Sequence, residues 1–205
     1  MWQIFLGVVI DPVHTFQKLR QEKDAFYPGV AVLLFVSFIY TLILVIFIQK
    51  DYTAAMPSLL GLPVQEQYQW QVWYQAPLFF ATTALTGFLL TRISHLAERS
   101  INFRDAFGLI SLATTVPFAM TTMLVELGIA LLILFGVLAP DEALNWLTGK
   151  GMWFANLYQL IGLIWLVSLV VILMRSIFLK GWWKSLILGI LFVIVYAFPI
   201  ALFIR

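Results

Sequence analysis

The chain has 205 residues, of which 62% are hydrophobic and 11% charged, with a net charge of +2 and no cysteine. A soluble domain carries about 45–50% apolar and about 25% charged residues, so one soluble core is excluded; the missing cysteine excludes disulfides, thiolate metal sites and a cysteine nucleophile. The small net charge gives no reason to expect a nucleic-acid partner.

Apolar runs of about 20 residues recur, each long enough to cross roughly 30 Å of hydrocarbon at 1.5 Å per residue. They are continuous, whereas a transmembrane β-barrel needs short alternating segments with a polar lumen face. The expected fold is therefore all-α: a polytopic membrane protein, a bundle of five transmembrane helices preceded by an N-terminal interfacial amphipathic helix, forming one domain over residues 1–205.

Residues 1–24 are expected to be that cytoplasmic interfacial segment. They lack the basic n-region and small-residue cleavage site of a signal peptide, so the N-terminus is expected to stay. In "IDPVHTFQKL" Asp11 is a good N-cap and Pro12 suits the first helical position, so a helix starts there and runs toward Glu22. Val13, Phe16 and Leu19 fall on one side, with Lys18, Arg20 and Lys23 around the others. Such a helix lies on the membrane, its apolar side in lipid and its cations on anionic headgroups. Asp11, Pro12 and Phe16 are the expected anchor, and membrane lipids the expected partners.

Five spans follow, at about residues 28–49, 72–93, 106–137, 154–174 and 183–204. Lys and Arg alternate across the flanking segments: Lys18, Arg20 and Lys23, then Lys50, then Arg92, Arg99 and Arg104, then Lys150, then Arg175, Lys180 and Lys184, then Arg205. By the positive-inside rule the N-terminus and the second and fourth loops are cytoplasmic and the C-terminus is outside. Tyr68, Trp70, Trp73 and Tyr74 before the second span, Trp146 and Trp153 before the fourth, and Trp182 and Trp183 before the fifth read as interfacial belts. The outer loops, with "MPSLLGLP" and "APDEALNW", are apolar enough to lie back on the membrane.

Within the spans, Thr83, Gly87 and Thr91 repeat every four residues on the second, a helix-packing spacing. His95 and Glu98 share a face at its end, but two ligands do not make a metal site, and no cofactor is expected. Asn102 caps the next helix, with Asp105 three residues on. The third span is too long, since about 32 residues reach roughly 48 Å. Pro117 is the expected kink, freeing a carbonyl near Ala113 for Thr114, Thr115 or a neighbouring helix to satisfy. Thr115, Ala119, Thr122 and Glu126 alternate steps of four and three along this span.

Glu126 is the one acidic residue inside an apolar run, and such a residue costs roughly 2.5–3.5 kcal/mol on insertion scales. It is expected as a hydrogen-bonded neutral acid or a proton-linked site, with Thr122 one turn back and Asn156 or Gln159 of the fourth span as partners. No phosphate loop, nucleophile elbow or paired-carboxylate spacing occurs, so the chain is expected not to be an enzyme.

An amphipathic start reading "DPVHTFQKL", five close-packed spans and "INFRDAFGLISLATTVPF" leading through the third resemble the Yip1-domain family of small five-span membrane proteins. The resemblance covers essentially the whole chain and implies the fold and topology. Eukaryotic members are associated with vesicle traffic and with prenylated Rab-type GTPases. The "DLYGP" of those members is not found here, and "YQAP" at Tyr74 to Pro77 stands elsewhere, so Rab binding is not carried over. The short form resembles the prokaryotic branch, implying a prokaryotic plasma membrane. The resulting expectation is a non-enzymatic membrane protein that organises membrane or membrane-protein assemblies through helix and lipid contacts, with other membrane proteins or further copies of itself as partners. The alternative is a small transporter or lipid-handling protein in which Glu126 takes and gives a proton.

Overall fold

The computed structural model describes residues 2–53, 63–64, 66–178 and 181–204. Two short helices, α1 (Trp2–Ile10) and α2 (Pro12–Glu22), lead into the spans α3 (Phe26–Gln49) and α4 (Gln67–Leu96). The third span, Phe103–Leu134, is built from α5 (Phe103–Phe118), a π-helical turn (Ala119–Met123) and α6 (Leu124–Leu134). A short helix α7 (Pro140–Thr148) precedes α8 (Met152–Phe178) and α9 (Trp182–Ile204). Among the described residues five stretches are thus long and apolar enough to cross a membrane, as expected. Residues 56–62, most of "MPSLLGLP", lie outside the described residues.

At the centre stands α5, in which every residue from Asp105 to Pro117 is buried. An apolar stripe is not enough for such a position; a helix surrounded by protein must be apolar or small on all sides. It starts on the expected box: Asn102 Oδ1 accepts from the Asp105 N–H at 2.7 Å, and Asn102 Nδ2 donates to Asp105 Oδ2 at 2.9 Å. Packed against it are α3, α4 and α8. The closest crossing is with α3, where a Cβ on Gly29 would land on the Gly108 backbone, and one on Gly108 would land on the Ala25 carbonyl. The Ser111 hydroxyl donates to the Gly29 carbonyl across this crossing at 2.7 Å. On the other side, a Cβ on Gly87 of α4 would stand 3.1 Å from Phe107 Cα.

The N-terminal helices dock on protein. Asp11 caps α2, accepting from the His14 N–H at 3.2 Å, and Pro12 opens it. Phe16 and Leu19, expected to face lipid, are buried in the bundle, while Val13 is exposed. Here α2 lies along α8, and the Arg20 guanidinium donates to the Ser176 carbonyl. Two of the three residues on its apolar side are therefore taken up by the bundle.

The third span departs from a regular helix at Ala119, two residues after Pro117. The proline ring removes a backbone donor, and Ala119–Met123 adopt the wider π pattern. Thr121, inside that turn, donates to the Pro117 carbonyl at 2.7 Å. Thr114 donates to Ile110, at 2.8 Å, and not to Ala113. The π turn also rotates the residues beyond it, so the expected stripe is broken: Ala119 faces a small groove lined by Trp2, Phe5 and Val36, whereas Thr122 and Glu126 face a different space.

The bundle is tight at the end carrying Arg92, Arg99 and Arg104 and opens toward the other. In α8, seven of the ten residues from 169 to 178 are fully packed alongside Ser176, yet none from 156 to 168 is buried. This splay creates the space that Glu126 faces.

Candidate functional site

Between the splayed halves of α3, α4, α6, α8 and α9 lies a cavity of about 530 Å³, with Leu147 and Thr148 of α7 across it. That volume is within the range of small-molecule sites, roughly 300–1,000 Å³. Its walls divide into a polar flank and an apolar one. Glu126, Gln67, Gln71 and Tyr40 belong to the first, and Leu163, Leu166, Ala197 and Ile200 to the second.

The polar flank is organised around Tyr40. Its ring is buried against Phe79 and Phe118, and its hydroxyl is hydrogen-bonded with the Glu126 carboxyl. The same hydroxyl accepts from Gln71 Nε2 at 3.3 Å. A phenol has one proton to give. With that proton directed to Glu126, Gln71 must offer Tyr40 its amide N–H, which leaves the Gln71 oxygen pointing elsewhere. That oxygen is buried without a hydrogen-bond partner, as is that of Gln67 one turn earlier on α4. The two side chains are 1% and 2% exposed, and both line the cavity. Deeper on the same face, Gln75 donates to Thr41 Oγ1 at 2.6 Å and to the Ser37 carbonyl at 3.2 Å, fastening α4 to α3.

An aromatic group closes the polar flank. Tyr52 and Tyr68 stack at 6.1 Å with an interplanar angle of 12°, and Phe47 lies 4.6 Å and 5.3 Å from them. All three line the cavity. Burial, followed by the charge of Glu126, pushes the Tyr52 hydroxyl up to about 12, so it stays neutral at physiological pH. At the cavity wall, where Tyr196 and Thr114 both line it, the Tyr196 hydroxyl sits among those of Thr83, Thr114 and Thr115.

The structure brings Glu126, Thr122 and Gln159 to one cavity. Asn156 does not join them; it is exposed on the outside of α8, because its position on that helix points away from Glu126. Pro117 lines the cavity floor beside the π turn. The α4 trio divides: Thr83 is buried toward α9, Gly87 meets α5, and Thr91 donates to its own helix at the Gly87 carbonyl, 2.9 Å away. Sequence reasoning missed Gln67, Gln71, Tyr40 and Tyr52. It placed Tyr68 in an interfacial belt, whereas Tyr68 turns inward; Trp70 and Trp73 beside it are exposed. The available signal was the four-residue spacing of Gln67, Gln71 and Gln75, which puts three amides on one helical face.

Five apolar spans among the described residues, the third contributing a central helix buried among its neighbours, with a chamber of one polar and one apolar flank between their splayed ends, define a helical polytopic integral membrane protein. A family model for the Yip1 domain matches residues 6–204, and the chain belongs to that family. No curated protein and no solved structure matches it.

Proposed function

We propose that this protein is a non-enzymatic, lipid-handling member of its family, taking an amphiphile into the chamber between α4, α6, α8 and α9. The observation that carries the reading is the pairing, around one cavity of about 530 Å³, of two lining glutamines whose buried amide oxygens lack partners with an apolar wall of Leu163, Leu166, Ala197 and Ile200. A buried amide oxygen left unbonded costs about 1–3 kcal/mol. A ligand with polar head and apolar tail relieves that cost and fills the apolar flank. Binding is favoured over catalysis because the described lining holds a single carboxyl and no serine or histidine to work with it. Charge supports the placement: with Arg92, Arg99, Arg104 and Arg175 at the cytoplasmic end of a prokaryotic plasma membrane, the chamber lies in the outer half.

The competing reading, a scaffold organising other membrane proteins, rests on exposed apolar flanks such as Ile187, Leu191 and Ile194 of α9. Any helix facing lipid shows such a flank, so the chamber is the more specific feature. Native mass spectrometry of protein extracted from its own membrane separates the two. Retention of a lipid-sized mass, lost when bulk is added to the chamber from either wall by Ala155→Phe or Ala201→Trp, supports lipid handling. A defined extra protein mass, with any lipid indifferent to both substitutions, overturns it in favour of the scaffold.

A further inference from the structure

The chamber's polar flank has a chemical bias. Among the described lining residues the only formally charged side chain is Glu126, with no Lys, Arg or His among them. Two buried amide oxygens, of Gln67 and Gln71, are without partners there. Gln71, through its amide N–H, and Glu126 meet at the Tyr40 hydroxyl, so the Gln71 side chain and the carboxyl are neighbours on this flank. Beside them is the aromatic group of Phe47, Tyr52 and Tyr68, whose ring faces attract cations. An ammonium carries three donors and no acceptor, matching a carboxylate and two amide oxygens. A phosphate or carboxylate head would bring acceptors and negative charge to a flank that already has both. A bare metal ion would leave most of a 530 Å³ space empty and find one carboxylate where oxygen-ligand sites use several groups.

From this we infer that the ligand head is a primary ammonium, held by Glu126 and the amide oxygens of Gln67 and Gln71, with its alkyl part along the apolar wall. The inference rests on the lipid-handling reading and names the class of amphiphile. The ammonium belongs either to an aminophospholipid headgroup or to a free alkylamine, and both present the same chemistry.

The test uses three twelve-carbon probes, dodecylamine, dodecanol and dodecanoate, titrated at neutral pH into the full chain in maltoside micelles, with binding read by native mass spectrometry and thermal stabilisation. The expected result is that dodecylamine binds about tenfold or more tighter than dodecanol, as charge-assisted hydrogen bonds exceed neutral ones. Glu126→Gln should remove that preference while leaving dodecanol binding unchanged. Should Glu126→Gln fail to fold, Gln67→Met removes one acceptor without touching Tyr40 and should weaken the amine severalfold. Equal binding of all three probes, abolished by Ala201→Trp, overturns the ammonium assignment and leaves the chamber intact. Binding of none of them at a site sensitive to Ala201→Trp or Ala155→Phe overturns both readings. An amine preference that persists undiminished in Glu126→Gln also overturns the assignment. In a competition arm, displacement of dodecylamine by vesicles of phosphatidylethanolamine but not of phosphatidylglycerol identifies the headgroup source. Displacement by neither identifies a free amine, and the inference stands in both cases.

Discussion

Tyr40 joins three helices through one oxygen: its own α3, α4 through the amide of Gln71, and α6 through Glu126. Tyr40→Phe keeps the ring against Phe79 and Phe118 but leaves a buried amide N–H without an acceptor, which costs about 1–3 kcal/mol. We expect a lower unfolding midpoint, followed by tryptophan fluorescence in detergent; an unchanged midpoint would show that Gln71 and Glu126 are held by other groups. Glu126 was legible in the sequence because a lone carboxyl in an apolar run stands out against its neighbours. Its partners were not. A tyrosine in a span and a glutamine near a span's end read as ordinary interfacial residues, since nothing in one segment tells which side of a helix faces protein. Asn156 shows the converse: its polarity drew it into the candidate set, but its helical position puts it outside.

Helix order was readable because continuous apolar runs exclude a barrel, and a helix then is the structure that satisfies every backbone group within hydrocarbon. The start of α4 was not, because apolarity marks contact with lipid, whereas Gln67 and Gln71 of its first turns face protein. The same blindness affected close approach. Among the glycines, Gly87 was singled out by spacing, yet the tighter crossing is between Gly29 and Gly108, which lie in different spans and have no shared pattern. Three substitutions rank these contacts. Gly108→Ala drives a methyl into the Ala25 carbonyl, a backbone group that cannot rotate away, so a loss at the upper end of the about 1–3 kcal/mol typical of overpacking is expected. Gly87→Ala meets Phe107 Cα at 3.1 Å and should cost less. Gly128→Ala, with nothing within 4 Å, should be neutral or stabilising by up to about 1 kcal/mol, because alanine is the better helix former. Thermal unfolding of the three variants checks the order; equal midpoints for Gly108→Ala and Gly128→Ala would contradict the crossing.

At the scale of the molecule, the tight end and the open end of the bundle are distinguished by charge as well as by packing. Lys and Arg crowd the tight end, where α2 docks on α8, and the chamber lies at the sparsely charged end, beyond the reach of those cations. An ammonium-binding site placed there is not opposed by them, because charges a bundle's length apart exceed a Debye length of about 8–10 Å wherever solvent screens them. Which end faces the cytoplasm decides whether the chamber lies in the outer or the inner leaflet. The absence of cysteine makes this measurable, since any introduced thiol is the only one in the chain. Lys150, between α7 and α8, and Arg99, between α4 and α5, are both exposed and sit at opposite ends. In bacterial spheroplasts, Lys150→Cys should react with an impermeant maleimide before lysis and Arg99→Cys only after it. The opposite pattern would place the chamber in the inner leaflet, and labelling of both from outside would contradict an odd number of crossings between them.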